Sequence, residues 1–466
     1  MSDQLRRHPP GPRGHWLLGS LPAFRSDLLG LLLAAARESG DVVRLRVGPA
    51  TRLLLLNRPD QIEEVLATRE GEFAKHRFFW RHVSRLFGNG LLTSSGEVWK
   101  RQHRLIAPAF RQQQLAQRST AIVQAVNELL SSWRDGEERD LRPDMTRLTL
   151  DIVARVLFDR KLDAAALDRV RHAVDLGNEE IGERFRRLVA HPDWVPTAGN
   201  RRYNAAVSEL DAVAAEIIAK RRPSAEGRSD LLSTLLASRD GADRPLDAGL
   251  LRDEVVTLLL AGHETTALAL TWALHLLARH REAAAKVEAE VDRAVGPARL
   301  PEVGDIPNLR YTTQVLTEAM RLYPPVYLVG RETVRETEIA GYRLPRGVVL
   351  LMSQWVVHRD SRYFPDPDSF RPERWDDGMT RGLPRFAYFP FGGGARICIG
   401  QPLALMEAKL VLATICQRFR MTSTHGDPID CYAAVTLRPN RPVRLVVSRR
   451  PQPGQKPTSP SSFRAF

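Results

Sequence analysis

Cysteine is scarce: the 466 residues hold three, at Cys398, Cys416 and Cys431, and no C-x-x-C spacing occurs. Three thiols cannot all pair, which argues against a disulfide framework and for a reducing cytosol. Lysine is scarce too. Only seven of the 68 basic residues are Lys, so the net charge of +13 is carried by arginine. Arginine alternates with Glu and Asp almost everywhere, and no run of five or more like charges exists. The basic balance therefore reads as a solvated surface, not a nucleic-acid stripe. Long apolar runs are missing from the N-terminus. Leu28 to Ala36 is apolar except for Gly30, about half of what a membrane-spanning helix needs, and no signal peptide precedes it. Hydrophobic content of 43% is that of a globular chain able to bury a sizeable core. Length alone suggests about three domains, but no internal repeat or domain-scale linker divides the chain. One domain over residues 1–450 is expected, with a Pro- and Ser-rich tail, 451–466, expected to be disordered.

What is present is concentrated in Phe391 to Gly400, F-G-G-G-A-R-I-C-I-G. One thiol, Cys398, sits among four glycines beside the guanidinium of Arg396. After Gly400 the pattern turns apolar at helical spacing through Leu403, Leu405, Leu410 and Leu412, so the cysteine lies just before a helix N-terminus. The helix dipole and the unpaired amides of its first turn favour a thiolate there. The glycines let the backbone approach a flat ligand. A lone Cys in a Gly-rich turn can also be a small buried residue, and the arrangement as a whole decides between the two.

A second stretch is as informative. Asp247 to His280 reads as one mostly unbroken helix, about 50 Å long at 1.5 Å per residue. Its centre, Ala261-Gly262-His263-Glu264-Thr265-Thr266, puts acidic and hydroxyl groups into a run that is otherwise Leu, Val and Ala. Buried polar groups are costly unless satisfied or used. A third feature is Glu318-Ala319-Met320-Arg321, two opposite charges three apart on one helical face. A fourth is Trp99 and His103, four apart in the helix Gly96 to Ile106.

These stretches resemble the cytochrome P-450 haem-thiolate monooxygenases. F-x-x-G-x-R-x-C-x-G is matched at Phe391, Gly394, Arg396, Cys398 and Gly400, and [AG]-G-x-[DE]-T-[TS] at all six positions from Ala261 to Thr266. The resemblance covers nearly the whole chain. It implies a mainly α fold with small β-sheets (α+β), with the long helix crossing the haem. The implied cofactor is haem b (iron protoporphyrin IX), with Cys398 as the axial iron ligand and Phe391 packing beside the sulfur. Arg396, Trp99, His103 and Arg331 are implied as propionate contacts, with His358 as a further donor and Ala261 beside the haem. His103 stands where the family usually has Arg, making the charge there conditional on pH. Thr265 is implied to hydrogen-bond the oxygen being activated and Glu264 to relay protons to it, while Thr266 and His263 read as helix-packing residues. Glu318, Arg321 and Arg374, the last in Phe370-Arg371-Pro372-Glu373-Arg374-Trp375, form the implied structural triad.

The implied reaction takes a hydrophobic molecule, dioxygen, two electrons and two protons to a hydroxylated or epoxidised product and water. Phe78, Phe79, Phe87, Leu258, Val326, Leu328 and Val435 are expected to line the substrate pocket, with no cation to hold a carboxylate. A terpenoid or steroid-like substrate is therefore expected ahead of a fatty acid. Too few residues follow Cys398 for a flavin reductase, so the implied partners are a ferredoxin or flavodoxin with its reductase, docked on Lys100, Arg101, Arg104 and Arg385. Only eight residues precede the proline-rich segment from Pro9, so a cytoplasmic, bacterial-type monomer without a membrane anchor is expected. A non-catalytic haem sensor or carrier and a peroxide-driven or rearrangement enzyme are the alternatives, and the Glu264-Thr265 pair argues against both. Locally, a hairpin is expected at Val42 to Leu56, a helix over Pro59 to Thr68, and a loop from Phe73 to Thr93.

Overall fold

A computed structural model describes residues 8–48, 51–186, 192, 194–224, 228, 230–239, 246–423 and 429–451. The chain is predominantly helical with small sheets. In chain order, the elements that build the site are helix α1 (Leu28–Ser39), strands β1 (Val42–Val47), β2 (Thr51–Leu56) and β3 (Phe73–Lys75), and helices α2 (Arg77–Phe87), α3 (Gly96–Ile106), α4 (Leu141–Phe158), α5 (Ala164–Arg186), α6 (Ala198–Arg221), α7 (Ala248–Arg279) and α8 (Arg310–Leu322). Strands β4 (Val329–Thr333) and β5 (Val349–Met352), helix α9 (Gln401–Arg418) and the two-stranded ribbon β6 (Cys431–Ala433) and β7 (Leu437–Pro439) follow.

Helix α7 is the axis of the molecule. Asp247 caps it by accepting the Leu250 N–H at 3.1 Å, which satisfies one of the orphan donors of the first turn. Leucine, valine and alanine on every face let α4, α6, α8 and α9 pack around it, as expected of a helix that is apolar all round. Among the described residues it is the one helix long and apolar enough to cross a membrane, and 83% of its most apolar window lies inside the protein.

The expected hairpin pairs Val42 with Leu56 through Val47 with Thr51. It is one edge of a five-stranded sheet in the order β1-β2-β5-β4-β3, where β2 and β5 run parallel and the other neighbours antiparallel. The pairing of β3 with β4 sets Lys75 opposite Arg331. Helix α3 has the bounds expected of it, and α7 is one residue shorter at each end than expected. The helix expected over Pro59 to Thr68 is α-helical to Glu63 and then widens into a π turn over Glu64–Thr68, where the Arg69 N–H donates to the Glu64 carbonyl. The expected loop from Phe73 to Thr93 instead contains β3 and α2. Arg77, Arg81 and Arg85 recur every four residues on the outer face of α2, opposite the buried Val83, Leu86 and Phe87. That amphipathic period outweighs the aromatic content. The expected tail lies outside the described residues from Gln452 on, as does Pro49 of the hairpin turn.

Candidate functional site

The cysteine loop closes on itself. The Cys398 N–H donates to the Phe391 carbonyl at 3.0 Å, the Ile397 N–H to Gly394 at 3.2 Å and the Gln401 N–H to the Cys398 carbonyl at 3.2 Å. Gly394 has φ +69, and a Cβ built there would stand 1.7 Å from the Leu66 carbonyl oxygen in the π turn. Glycine is therefore required twice at that position, for its backbone angle and for its lack of a side chain. The loop is seated on that π turn, and the Ala395 N–H reaches the Glu70 carboxylate at 3.3 Å.

Cys398 is open to a water-sized probe yet enclosed by protein, the position of a group on the wall of an internal cleft. Burial pushes its thiol up, against the lowering effect of the Gly400 and Gln401 N–H groups that point at the sulfur. The amides at the helix start favour the anion as expected, and burial opposes them more strongly. A cation at the sulfur is needed. Among the described residues no three His, Cys, Asp or Glu side chains gather into a metal cage.

Arg396, two residues before Cys398, gathers with other cations that lack enough counter-charge. The Arg396 guanidinium lies 3.8 Å from the centroid of the Trp99 ring and donates to the Ser94 carbonyl at 3.1 Å. Burial and the charge of Arg331 push its pKa down to about 10. Arg331 donates to the Gly330 carbonyl, and burial lowers it as well. Lys75, which the sequence reading missed, donates to the Leu92 and Ser94 carbonyls. Burial, then Arg396 and Arg331, hold it down at about 7. Among the described residues the carboxylate felt by Arg331 and Arg396 is that of the exposed Glu70. Like charges opposite each other on paired strands repel, so Lys75, Arg331 and Arg396 make a site for an added anion. A group carrying carboxylates would supply the missing counter-charge. Trp99 and His103 complete this side, with ring centroids 5.1 Å apart.

His358 is placed elsewhere, contrary to expectation. It is fully buried, its Nε2 accepts the Phe389 N–H at 3.0 Å and its carbonyl accepts from Arg321 at 2.8 Å. It is held by the scaffold and not by the cation cluster.

That scaffold is the expected triad. Arg321 donates twice to Glu318, at 2.8 and 2.9 Å, and Arg374 donates to Glu318 at 2.9 Å. Both members of the first pair are fully buried. Trp375 Nε1–H and the Arg371 N–H also donate to Glu318, at 2.8 and 3.0 Å. Arg321 satisfies the carbonyls of His358, Pro367 and Ser369. One carboxylate thereby ties α8 to the segment leading into the cysteine loop.

On α7 the otherwise buried run opens at Ala261, Gly262, Glu264 and Thr265, which are only partly buried. Thr265 donates to the Ala261 carbonyl at 3.0 Å and Thr266 to Gly262 at 3.2 Å, the back-bonding expected of mid-helix hydroxyls. With its proton so directed, the Thr265 oxygen is free to accept. Glu264 does not point into bulk solvent. Its carboxylate accepts from Asn178 at 2.6 Å, from Thr436 at 3.0 Å and from Arg438, with Nε at 2.8 Å. Burial raises its pKa, yet Arg438 and the other donors win and hold it below the usual range.

The residues expected to form an apolar pocket wall lie on several elements. Phe87 and Leu258 are buried where α2 meets α7, and Thr257 donates to the Phe87 carbonyl at 3.3 Å. Leu437 N–H donates to the Pro325 carbonyl at 2.9 Å and Tyr327 to the Ala434 carbonyl at 2.7 Å. Those bonds bring the partly buried Val326 and Leu328 beside Val435. Phe79 packs against the main core. Phe78 is 51% exposed, edge-on to His82, because it falls toward the arginine face of α2. It is not part of the wall as expected.

A family model described as Cytochrome P450 matches residues 9–447. The chain is 36% identical over 431 residues to cyclooctat-9-en-7-ol 5-monooxygenase of Streptomyces melanosporofaciens, an alignment covering 89% of this chain and 92% of that one. It is 34% identical over 425 residues to pentalenene oxygenase of Streptomyces avermitilis, covering 91% and 93%. Among solved structures, the cytochrome P450DA heme domain superimposes with a TM-score of 0.85 at 27% identity, covering 96% of this chain and 98% of that one.

Proposed function

The chain belongs to the cytochrome P450 family and is a monooxygenase with a haem-thiolate iron, and from that premise we propose that it hydroxylates or epoxidises a terpenoid-like ring hydrocarbon. One observation carries the substrate class. The residues expected to line the pocket, Phe87, Leu258, Val326, Leu328 and Val435, are all apolar, and Arg438, three residues after Val435, is already engaged by Glu264 and Asp175. A fatty acid's carboxylate finds no free cation in that set. The names of the two relatives, which put oxygen on cyclooctat-9-en-7-ol and on pentalenene, support the same class.

The cofactor we assign is haem b, which supplies electron transfer and oxygen activation, with the Cys398 sulfur as its anionic donor. Lys75, Arg331, Arg396, Trp99 and His103 would hold its two carboxylates, and Phe391 and Ala261 would border it. Thr265 would offer its hydroxyl to the oxygen being activated, and Glu264 would supply protons. Residues 1–450 act as one catalytic domain, working as a monomer in the bacterial cytoplasm. A ferredoxin or flavodoxin, with its reductase, delivers the electrons. Its expected dock is partly occupied: Lys100 pairs with Glu97 at 2.7 Å and Arg385 with Glu63 at 2.9 Å. Arg101 has a buried guanidinium nitrogen, so the exposed Arg104 is the stronger member of that patch.

The substrate assignment is tested by titrating the oxidised enzyme with pentalenene, a cyclic diterpene alcohol and a long-chain fatty acid while following the spin state of the iron. The ring compounds are expected to displace bound water and give an oxygenated product by mass spectrometry. A shift and product with the fatty acid alone would overturn the assignment.

A further inference from the structure

Asp253, Glu254 and Thr257, near the start of α7, meet the segment that joins α2 to α3. Two of them are satisfied there. Asp253 accepts the Asn89 N–H at 2.6 Å and pairs with Arg252 at 2.9 Å, and Thr257 donates to the Phe87 carbonyl at 3.3 Å. Gly90 lies directly on this part of the helix, since a Cβ there would stand 2.3 Å from the Thr257 hydroxyl oxygen. That close approach delivers the Leu91 N–H to Glu254 Oε2 at 3.1 Å. The other oxygen, Oε1, is buried and has no partner among the described residues. Glu254 as a whole is 1% exposed, and a buried polar atom left unpaired is costly.

Glu254 does not stand apart from the site. Positions 254, 258, 261 and 265 follow the four-three-four spacing of one helical face, so Glu254 begins the stripe that runs through Leu258 and Ala261 to Thr265. Ala261 and Thr265 are where the otherwise buried helix opens. Burial pushes the Glu254 carboxyl up to about 7, opposed by the Leu91 N–H and aided by the charge of Asp253. Near neutral pH both of its forms are therefore populated. The carboxylate accepts a hydrogen bond, and the acid also donates one. A hydroxyl answers either form. An ammonium answers only the carboxylate, and a second carboxylate is repelled by it.

We propose that Glu254 is a specificity-determining residue that binds a hydroxyl already present on the substrate, so that the enzyme takes ring terpenoid alcohols in preference to the bare hydrocarbons. The inference rests on the terpenoid reading of the preceding subsection and narrows it. Glu254 and Thr265 are roughly 16 Å apart along the helix axis. The bound hydroxyl therefore lies at the opposite end of the skeleton from the carbon that is oxidised. It is held by a hydrogen bond and leaves unchanged.

The test titrates the full, haem-loaded enzyme with abietadienol, a tricyclic diterpene alcohol, and with abietadiene, the same skeleton without the hydroxyl, while following the spin state of the iron. The alcohol should bind about 10–100-fold more tightly, the effect of one hydrogen bond to a buried charged group. Glu254→Leu should erase the difference by weakening the alcohol alone. Glu254→Gln, whose amide still serves both the Leu91 N–H and a hydroxyl, should keep most of it. A carboxyl that only holds the segment over α7 would, on removal, weaken both ligands alike. That result, or equal affinities in the parent, would overturn the proposal. If Glu254→Leu fails to fold, the parent's product decides: the new oxygen should enter the end of the skeleton remote from the hydroxyl, and attack on the ring that bears the hydroxyl would overturn the anchor. A parent that shows no spin shift with either ligand would instead overturn the terpenoid reading on which the proposal rests.

Discussion

Replacing Cys398 with serine is expected to abolish oxygenation altogether. The hydroxyl is nearly isosteric, and the loop's own bonds, from Cys398 N–H to Phe391 and from Ile397 N–H to Gly394, involve no sulfur. The chain should therefore fold with the same helices. What changes is the donor. The sulfur is enclosed, and burial opposes its ionisation more than the two first-turn amides favour it. A thiol gives up its proton to a metal in such a place, because the metal's charge replaces the missing counter-ion. A serine hydroxyl, far less acidic, does not. Product formation with any accepted substrate should fall below detection, while circular dichroism stays that of the parent. Retention of even a tenth of the parent turnover would mean that the chemistry runs without this sulfur.

The largest expected loss of stability follows from Glu318→Gln. Glu318 and Arg321 are fully buried and Arg374 nearly so. The one carboxylate answers two guanidinium groups, an indole N–H and a backbone N–H. The amide keeps the shape but leaves two buried cations without a counter-charge and turns one acceptor into a donor facing donors. Breaking a buried pair in this way costs about 3–5 kcal/mol. That is a large share of the 5–15 kcal/mol that holds a typical protein folded. The variant should be recovered mainly as aggregate, or with a urea midpoint far below the parent. Glu373→Gln is the control, since its pair with Lys286 is about half exposed on both sides and such pairs contribute roughly 0–1 kcal/mol. Equal midpoints for the two variants would contradict the role given to the triad.

How much of this was legible from the chain depends on sequence distance. The cysteine loop, the Trp99–His103 pair and the Glu318–Arg321 pair are local patterns, and spacing alone brings each together. Arg374 could be added from the motif that carries it, but Trp375 and the Arg371 N–H on the same carboxylate could not. Lys75 was missed because its partnership with Arg331 exists only once β3 pairs with β4. Glu264 was picked out by its motif, but nothing near it in sequence discloses its partner Arg438, 174 positions away. His358 was misassigned for the converse reason. A histidine near a cation-rich site looks like a donor until the fold shows its Nε2 already accepting from Phe389. Helix α2 was hidden by its aromatic residues, although the four-residue spacing of Arg77, Arg81 and Arg85 was there to be read.

Reducing the purified enzyme and adding carbon monoxide tests the central claim most directly, because the position of the Soret band reports the atom opposite the gas. An anionic sulfur at Cys398 predicts the far-red band of a haem thiolate in the parent and its loss in the serine variant. A globin-like carbonyl spectrum, or a protein that binds no porphyrin at all, would contradict the account.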